Sequence, residues 1–477
     1  MTDWETVIGL EVHCELRTRT KLFCGCRNQF GDEPNTNVCP VCLGLPGSLP
    51  VLNKEAVDYA MRIGMALHCE VRPSIFHRKN YFYPDMPKDY QVSQYDEPIN
   101  VDGWLELPSG QRAGIERAHM EEDTGKSTHV GGGGRIHEAT HSLVDYNRAG
   151  VPLVEIVGRP DLRSAEEARS YVDELRAILV ATGASDGKME EGSLRVDANV
   201  SVRPAGSQEF GTRCEIKNMN SLRSLGRAID YEAARQIQLL EAGERIVQET
   251  RHWDENLGRT SSMRSKEEAF DYRYFPEPDL VPVAPDEEWQ RAVRASLPVL
   301  PAERRARVAD AVGVPPAAAA TVVALGLDEL VMTAIEQGAN PRTALNRAEN
   351  EVAANPEQAA GLDPAAFARL CVMEAAGQLT ATQAKTVLAE LLATGGDPAE
   401  IAKAKGFEAM GADALATAVD DVIAANAADW ADYCAGNDKV SGKFVGQIMK
   451  ATGGRADGKA VTALLRERRT AASASPS

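Results

Sequence analysis

Six prolines crowd the segment from Phe275 to Pro301, at positions 276, 278, 282, 285, 298 and 301, and divide the chain into two stretches of different character. Proline fixes φ and donates no backbone hydrogen bond, so neither a helix interior nor a central strand runs through such a segment. All eight histidines lie at or before His252, together with seven of the nine cysteines. Beyond residue 300 the chain turns alanine-rich and carries only five aromatics: Phe367, Phe407, Trp430, Tyr433 and Phe444. Alanine, leucine and glutamate at three- and four-residue spacing predict small helices there. Chemistry therefore belongs to about the first 290 residues, and docking to the remainder.

The first stretch mixes strands with helices. Ile8, Leu10, Val12, Cys14 and Leu16 alternate with Gly9, Glu11, His13 and Glu15, the period of a strand with one buried face. Leu194 to Arg203 alternates as cleanly, apolar at even positions and polar at odd ones. Ser164 followed by Glu167 reads as a capping box opening a helix that Thr182-Gly183 ends. Leu222, Leu225, Ile229, Ala233, Ile237 and Leu240 make a further helix face, closed by Gly243. Strands dominate before residue 160 and helices interrupt them afterwards, so the fold class is α+β rather than a regular βαβ repeat. The expected division is 1–295 for the mixed domain, with helices from 296 onward.

A chain of 477 residues can build two or three domains with real cores. No uninterrupted apolar run approaches the roughly 20 residues of a membrane helix. Met1-Thr2-Asp3-Trp4-Glu5 lacks the basic and apolar regions of a signal peptide. Nine cysteines, an odd number with four clustered, suit a reducing compartment better than a disulfide framework. These features predict a soluble cytoplasmic protein with no membrane contact. A net charge of −18 argues against a surface that coats nucleic acid generally, though not against a local basic site. From Asp438 to Arg469 eight basic residues face three acidic ones, net +5. Charge alone leaves that region either a solvated terminal helix or an RNA-binding patch.

Several residues could carry chemistry. The acid-His-acid row of Glu11, His13 and Glu15 suits a hard divalent cation or proton transfer, the alternative being a solvated strand face. Cys24-Gly25-Cys26 and, twelve residues on, Cys39-Pro40-Val41-Cys42 give two close pairs that can close the tetrahedral shell of a structural zinc; the alternative is four unrelated buried thiols. Cys14 and Cys69 lack such pairing. Asp123-Thr124-Gly125-Lys126-Ser127-Thr128 is not a phosphate loop, because Met120 stands where that motif needs glycine. Gly131–Gly134 reads as a hairpin tip. Acids recur at Glu121, Glu122, Glu190, Glu191, Glu155 and Asp197. Glu155 interrupts an apolar strand, where a carboxylate needs a metal or an arginine such as Arg148 or Arg159. Asp197 is either an ordinary solvated acid or part of a Mg²⁺ site for phosphoryl transfer.

Seven runs taken together resemble the B subunit of the aspartyl/glutamyl-tRNA amidotransferases. They are Glu5-Thr-Val-Ile-Gly-Leu-Glu-Val-His13, Phe30-Gly-Asp-Glu-Pro-Asn-Thr-Asn-Val38, Arg78-Lys-Asn-Tyr-Phe-Tyr-Pro-Asp85, His119-Met-Glu-Glu-Asp-Thr-Gly-Lys-Ser127, Lys188-Met-Glu-Glu-Gly-Ser-Leu-Arg195, Asp271-Tyr-Arg-Tyr-Phe-Pro-Glu-Pro-Asp279 and Gly442-Lys-Phe-Val-Gly-Gln-Ile-Met-Lys450. The resemblance implies a mostly antiparallel β cradle carrying kinase and transamidase activity, then an all-α domain over 296–410 and a small helical YqeY-like tail over 411–477. It implies ATP-dependent phosphorylation of the side-chain carboxyl of Glu-tRNA(Gln) or Asp-tRNA(Asn), then displacement of phosphate by ammonia. The implied ammonia source is the partner glutaminase, or A subunit, and a small C subunit is the third member of the heterotrimer. Mg²⁺ is then expected on Glu11, His13, Glu122, Glu155 and Asp197, with Glu11 and His13 catalytic. Lys79, Tyr81 and Lys88 are expected on phosphate or the aminoacyl end. Lys439, Lys443, Lys450 and Arg455 are expected on tRNA phosphates. Zinc on Cys24, Cys26, Cys39 and Cys42 is implied to be accessory to the reaction.

Two further classes share these residues. A metal-dependent RNA hydrolase would cleave RNA without ATP, and a noncatalytic scaffold would bind tRNA without turnover. No Ser-Ser-Lys arrangement marks a glutaminase, and Cys14, Cys69 and Cys214 have no histidine paired in sequence.

Overall fold

The computed structural model describes residues 3–131, 139–265, 272–407, 412–453, 456 and 458–474. The chain forms two compact units, Met1–Ala302 and Glu303–Ser477. Among the described residues the first holds fourteen strands: β1 (Trp4–Glu15), β2 (Glu70–Val71), β3 (Ile75–Asn80), β4 (Tyr90–Glu97), β5 (Asn100–Glu106), β6 (Arg112–Glu122), β7 (Lys126–Val130), β8 (His141–Asp145), β9 (Pro152–Gly158), β10 (Leu194–Pro204), β11 (Cys214–Lys217), β12 (Glu249–Asp254), β13 (Arg259–Ser265) and β14 (Phe275–Pro276). Twelve form one sheet, with the path β13-β12-β11-β10-β1-β9-β6-β4-β3-β14; β5 joins β6, and β2 joins β5. Pairing is antiparallel throughout except between β11 and β12. β7 and β8 make a separate hairpin. The glycines expected at its tip lie, apart from Gly131, outside the described residues.

The alternation in the sequence is the alternation of the sheet. Ile8, Leu10, Val12 and Cys14 of β1 are buried, as are Leu194, Val196, Ala198, Val200 and Val202 of β10. Helices α1 (Lys54–Ala66), α2 (Ala165–Ala181), α3 (Leu222–Glu241) and α4 (Glu287–Ala295) contribute to the same core. Ser164 caps α2 by accepting from the Glu167 N–H at 3.1 Å, and Gly183 follows its end at φ +72°. The expected capping box is shifted by one residue, since the Glu167 carboxylate accepts from the Arg163 N–H at 2.7 Å. Gly64 of α1 is required by close approach: a Cβ there would fall 1.9 Å from Asn100 Oδ1. Asn100 Nδ2 donates to the carbonyls of Ala60 and Ala118, pinning helix to strand. The proline-rich segment begins as β14 on the edge of β3, where a missing N–H interrupts no ladder.

The second unit is helical, with one hydrophobic cluster drawn from Val308 to Ala402 and another from Leu415 to Leu465. Among the described residues no single helix is long and apolar enough to cross a membrane.

Candidate active site

β1 sits between β10 and β9 in registers that set Glu11 opposite Asp197 and Val157, and His13 opposite Arg195 and Glu155. β9 passes the row to β6, where His119 stands opposite Glu155. Directly opposed residues in antiparallel strands share a face, so polar side chains from four strands collect on one side of the sheet. His13, Glu121 and Glu155 converge there, with ligating atoms within 4.8 Å of one another. His13 Nε2 lies 3.8 Å from Glu121 Oε1 and 3.7 Å from Glu155 Oε2, and His119 Nε2 lies 3.5 Å from that Glu155 oxygen.

Burial sets the charges. It drives His13 down to about 4, against Glu155 and helped by Arg195 and Lys217. His119, fully buried, is driven down to about 3 by burial and then by Arg117 and Lys79. Both rings are therefore neutral near pH 7. Glu121 is pushed up to about 8 by burial and then by Glu155. Glu11 is raised by burial and Glu155, while Asn199 Nδ2, donating at 2.8 Å, opposes the shift. Neither ring nitrogen of His119 has a hydrogen-bond partner among the described residues. Neutral imidazoles beside crowded carboxylates fit a small dication. Six ligands at about 2.1 Å span separations of roughly 3 to 4.2 Å, which bracket those between His13 and the two carboxylates.

Behind the cluster, Asp123 accepts from Arg195 at 2.6 Å and lies 3.7 Å from Arg148. Burial and Asp123 together push Glu15 up to about 8. Asp197 shares the face of Glu11, but its carboxylate meets Lys217 Nζ at 2.5 Å, and Lys217 also meets Glu215 at 3.0 Å. Asp197 is thus held by an ammonium and is not among the three groups that converge.

Glu122, expected among the Mg²⁺ ligands, points the other way. In β6 Arg117, His119 and Glu121 share one face, while Ala118, Met120 and Glu122 share the opposite one. The Glu122 carboxylate is taken by the Lys88 ammonium and by the Val92 N–H at 2.9 Å. Lys88 therefore stands away from the cluster, bound to Glu122. Lys79 acts electrostatically on both His119 and Glu121, and its ammonium lies 4.8 Å above the Tyr272 ring. Tyr81 is half-buried and stacks on Tyr83 at 5.8 Å. The cluster is flanked by Tyr95, whose ring meets His119 edge-on at 6.1 Å and stacks with Tyr274 at 5.5 Å. Glu121 and His119 fall outside the Mg²⁺ set expected from the sequence, although strict alternation with Ala118 and Met120 marks them.

The four clustered cysteines also converge, their sulfurs within 4.8 Å of one another. The Cys39 N–H donates to Cys42 Sγ at 3.2 Å. Zinc–sulfur bonds of about 2.3 Å require tetrahedral edges of roughly 3.8 Å, so the quartet fits that ion. Cys14 and Cys69 are buried elsewhere, and burial pushes both thiols up to about 12. In the tail, Lys439, Lys443 and Lys450 are exposed, with Lys443 drawn to Asp429 at 2.6 Å. Arg468 and Arg469 are tied to Asp420 and Asp438. Arg455 lies outside the described residues.

Comparison with known proteins converges with this geometry. A family profile described as the GatB/GatE catalytic domain matches residues 6–291, and one described as the GatB domain matches residues 329–468, a span that crosses both helical clusters. A relative from Frankia casuarinae, named as an aspartyl/glutamyl-tRNA(Asn/Gln) amidotransferase B subunit, is 53% identical over 98% of this chain and 95% of its own length. Proteins of the same name from Carboxydothermus hydrogenoformans and Brevibacillus brevis are 51% and 46% identical, each over 98% of this chain and 99% of their own. On a catalytic-domain match over most of the first unit and full-length identity near one half, the chain belongs to the family of aspartyl/glutamyl-tRNA(Asn/Gln) amidotransferase B subunits.

Proposed function

We propose that this chain phosphorylates the side-chain carboxylate of Glu-tRNA(Gln) or Asp-tRNA(Asn) with ATP and completes the amide with ammonia. The observation that carries this is the meeting of His13, Glu121 and Glu155 at the centre of the sheet, with Glu11 and Lys79 beside them. A carboxylate is a poor electrophile because its leaving group would be oxide. Phosphorylation removes that obstacle but brings two anions together. Mg²⁺ held by His13, Glu121 and Glu155 would screen that repulsion and orient the phosphates. Neutral His13 offers a lone pair without adding charge, and Glu11 stands one residue pair along β1 to extend the ligand set. Lys79 would supply a cation for phosphate oxygens from β3, two strands beyond β6 in the sheet. Tyr81 directly follows that strand and would meet the aminoacyl end.

The remaining assignments rest on residue chemistry for the cysteines and the tail, and on the family for the partners. Cys24, Cys26, Cys39 and Cys42 would hold a structural zinc, whose closed thiolate shell leaves no position for substrate. Lys439 and Lys450, exposed and without an ion pair among the described residues, would meet tRNA phosphates, with Lys443 after its release from Asp429. The glutaminase partner would supply ammonia, and the third, C-type partner would complete a cytoplasmic heterotrimer. The test is transfer of labelled γ-phosphate from ATP to Glu-tRNA(Gln), without glutamine, by this chain co-purified with both partners. Transfer by the wild type that fails in Glu11→Gln and Glu155→Gln is expected. Intact tRNA binding with no transfer by the wild type would refute the kinase assignment and leave a scaffold. RNA cleavage without ATP would point to a hydrolase.

A further inference from the structure

Just beyond β1, Lys21 is among the largest fully buried side chains of the protein. Its ammonium lies 3.8 Å from Cys42 Sγ and donates to the Tyr146 carbonyl at 3.1 Å. No carboxylate pairs with it among the described residues. An ammonium removed from water needs an anion, and the nearest one available is the thiolate of Cys42. Four thiolates around one zinc ion carry a net charge of −2, which is itself costly to bury next to Phe23 and Val41. Lys21 and the quartet thus answer each other's charge.

The second contact gives this pairing a reach beyond the metal. Tyr146 opens a segment that returns to the quartet at Gly150, at φ +84°, where a Cβ would fall 3.6 Å from Lys21 Cδ and 3.7 Å from Cys42 Cβ. The Gly150 carbonyl accepts from the Leu22 N–H at 2.9 Å. Between them, Arg148 donates to the carbonyls of Thr124 and Gly125 and lies beside Asp123. Asp123 holds Arg195, the residue opposite His13.

We propose that Lys21 is the counter-cation of the cysteine centre and ties that centre to the Tyr146–Gly150 segment, which braces the carboxylate face. This rests on the zinc reading above. Lys21 is a positioning residue in this scheme and touches no reactant.

The test uses the full chain in its heterotrimer, zinc content measured first. Zinc release to a chromogenic chelator is then compared among wild type, Lys21→Arg and Lys21→Met. Loss of an outer-shell partner weakens metal sites about ten- to hundred-fold, so Lys21→Met should release zinc faster by about that factor and Lys21→Arg should stay near wild type. Hydrogen exchange of the wild type before and after zinc removal provides a measurement independent of any variant. Amides of residues 146–151 should exchange at least about tenfold faster without zinc, while those of α3 stay unchanged. A wild type that holds no zinc would overturn the metal reading itself. Zinc held by the wild type and released equally fast from Lys21→Met, or unaltered exchange at 146–151, would overturn the role of Lys21 alone.

Discussion

Two adjacent glutamates of β6 should respond in opposite directions to the same substitution. Glu121 is buried among acids and is pushed up to about 8 from an ordinary 4.5. In the unfolded chain it ionises near 4.5, so between these values unfolding releases a proton and the metal-free wild type loses about 1.4 kcal/mol per pH unit. At pH 7 the loss amounts to about 3 kcal/mol, and Glu121→Gln should recover it while weakening Mg²⁺ binding at least tenfold, roughly the lower bound for outer-shell partners. Glu122→Gln should do the reverse. It leaves the Lys88 ammonium, 8% exposed, without its anion, at a cost of about 3–5 kcal/mol, and leaves Mg²⁺ affinity near wild type. Urea unfolding at neutral pH with chelator reads the first unit through tryptophan fluorescence, since four of the five tryptophans lie before residue 303. Titration calorimetry reads the metal. If Glu121→Gln destabilised the protein and kept its Mg²⁺, while Glu122→Gln lost Mg²⁺, the assignment of faces in β6 would be refuted.

Glu232 is fully buried, taking Arg235 at 2.6 Å, Gln236 and Thr260 at 2.9 Å and Arg251 at 3.3 Å. Burial raises its carboxyl, but the hydrogen bonds from Arg235 and Gln236 outweigh it and hold it below 4.5; its stabilisation is therefore present above pH 4.5 and lost as pH falls through the lower folded value. Glu232→Gln should cost about 3–5 kcal/mol at neutral pH and flatten the acid limb below 4.5, as read by urea unfolding across pH. Gly64→Ala should lower the thermal midpoint through about 1–3 kcal/mol of overpacking against Asn100, with calorimetry as the check. Replacing Lys439 and Lys450 together by alanine should make the dependence of log K on log salt for tRNA shallower by about 1–2. Lys443→Ala alone, in a residue tied to Asp429, should change that slope less.

Much of the sheet was legible because alternation is a local property. β1 and β10 could be traced from their apolar residues, and the helix from Ser164 from its cap. Their adjacency was not, since the register that sets Glu11 against Asp197 joins residues far apart in sequence. The same limit explains the site. His13 and Glu155 stood out as polar residues within apolar strands, and they do meet. The choice between Glu121 and Glu122 turns on following the period through Ala118 and Met120, and motif reading took Glu122, the neighbour on the opposite face from His13 and Glu155. Asp197 looked available because Lys217 reaches it from another strand. The cysteine pairs were readable from spacing alone, whereas Lys21 gave no signal before folding placed it against Cys42.

The central position of β1 also bears on how the protein is made. β1 emerges before the other strands of its sheet, yet its two neighbours begin at Pro152 and Leu194. At about 5–20 residues per second, synthesis leaves that strand without either partner for roughly seven to thirty seconds. Through that interval Ile8, Leu10 and Val12 form an apolar ribbon with both backbone edges unpaired, a template for association with other nascent chains. Glu11 and Glu15 alternate with that ribbon as charged gatekeepers, which oppose such pairing. Glu11, proposed to serve the reaction, would thus protect the newborn chain long before any substrate can reach it.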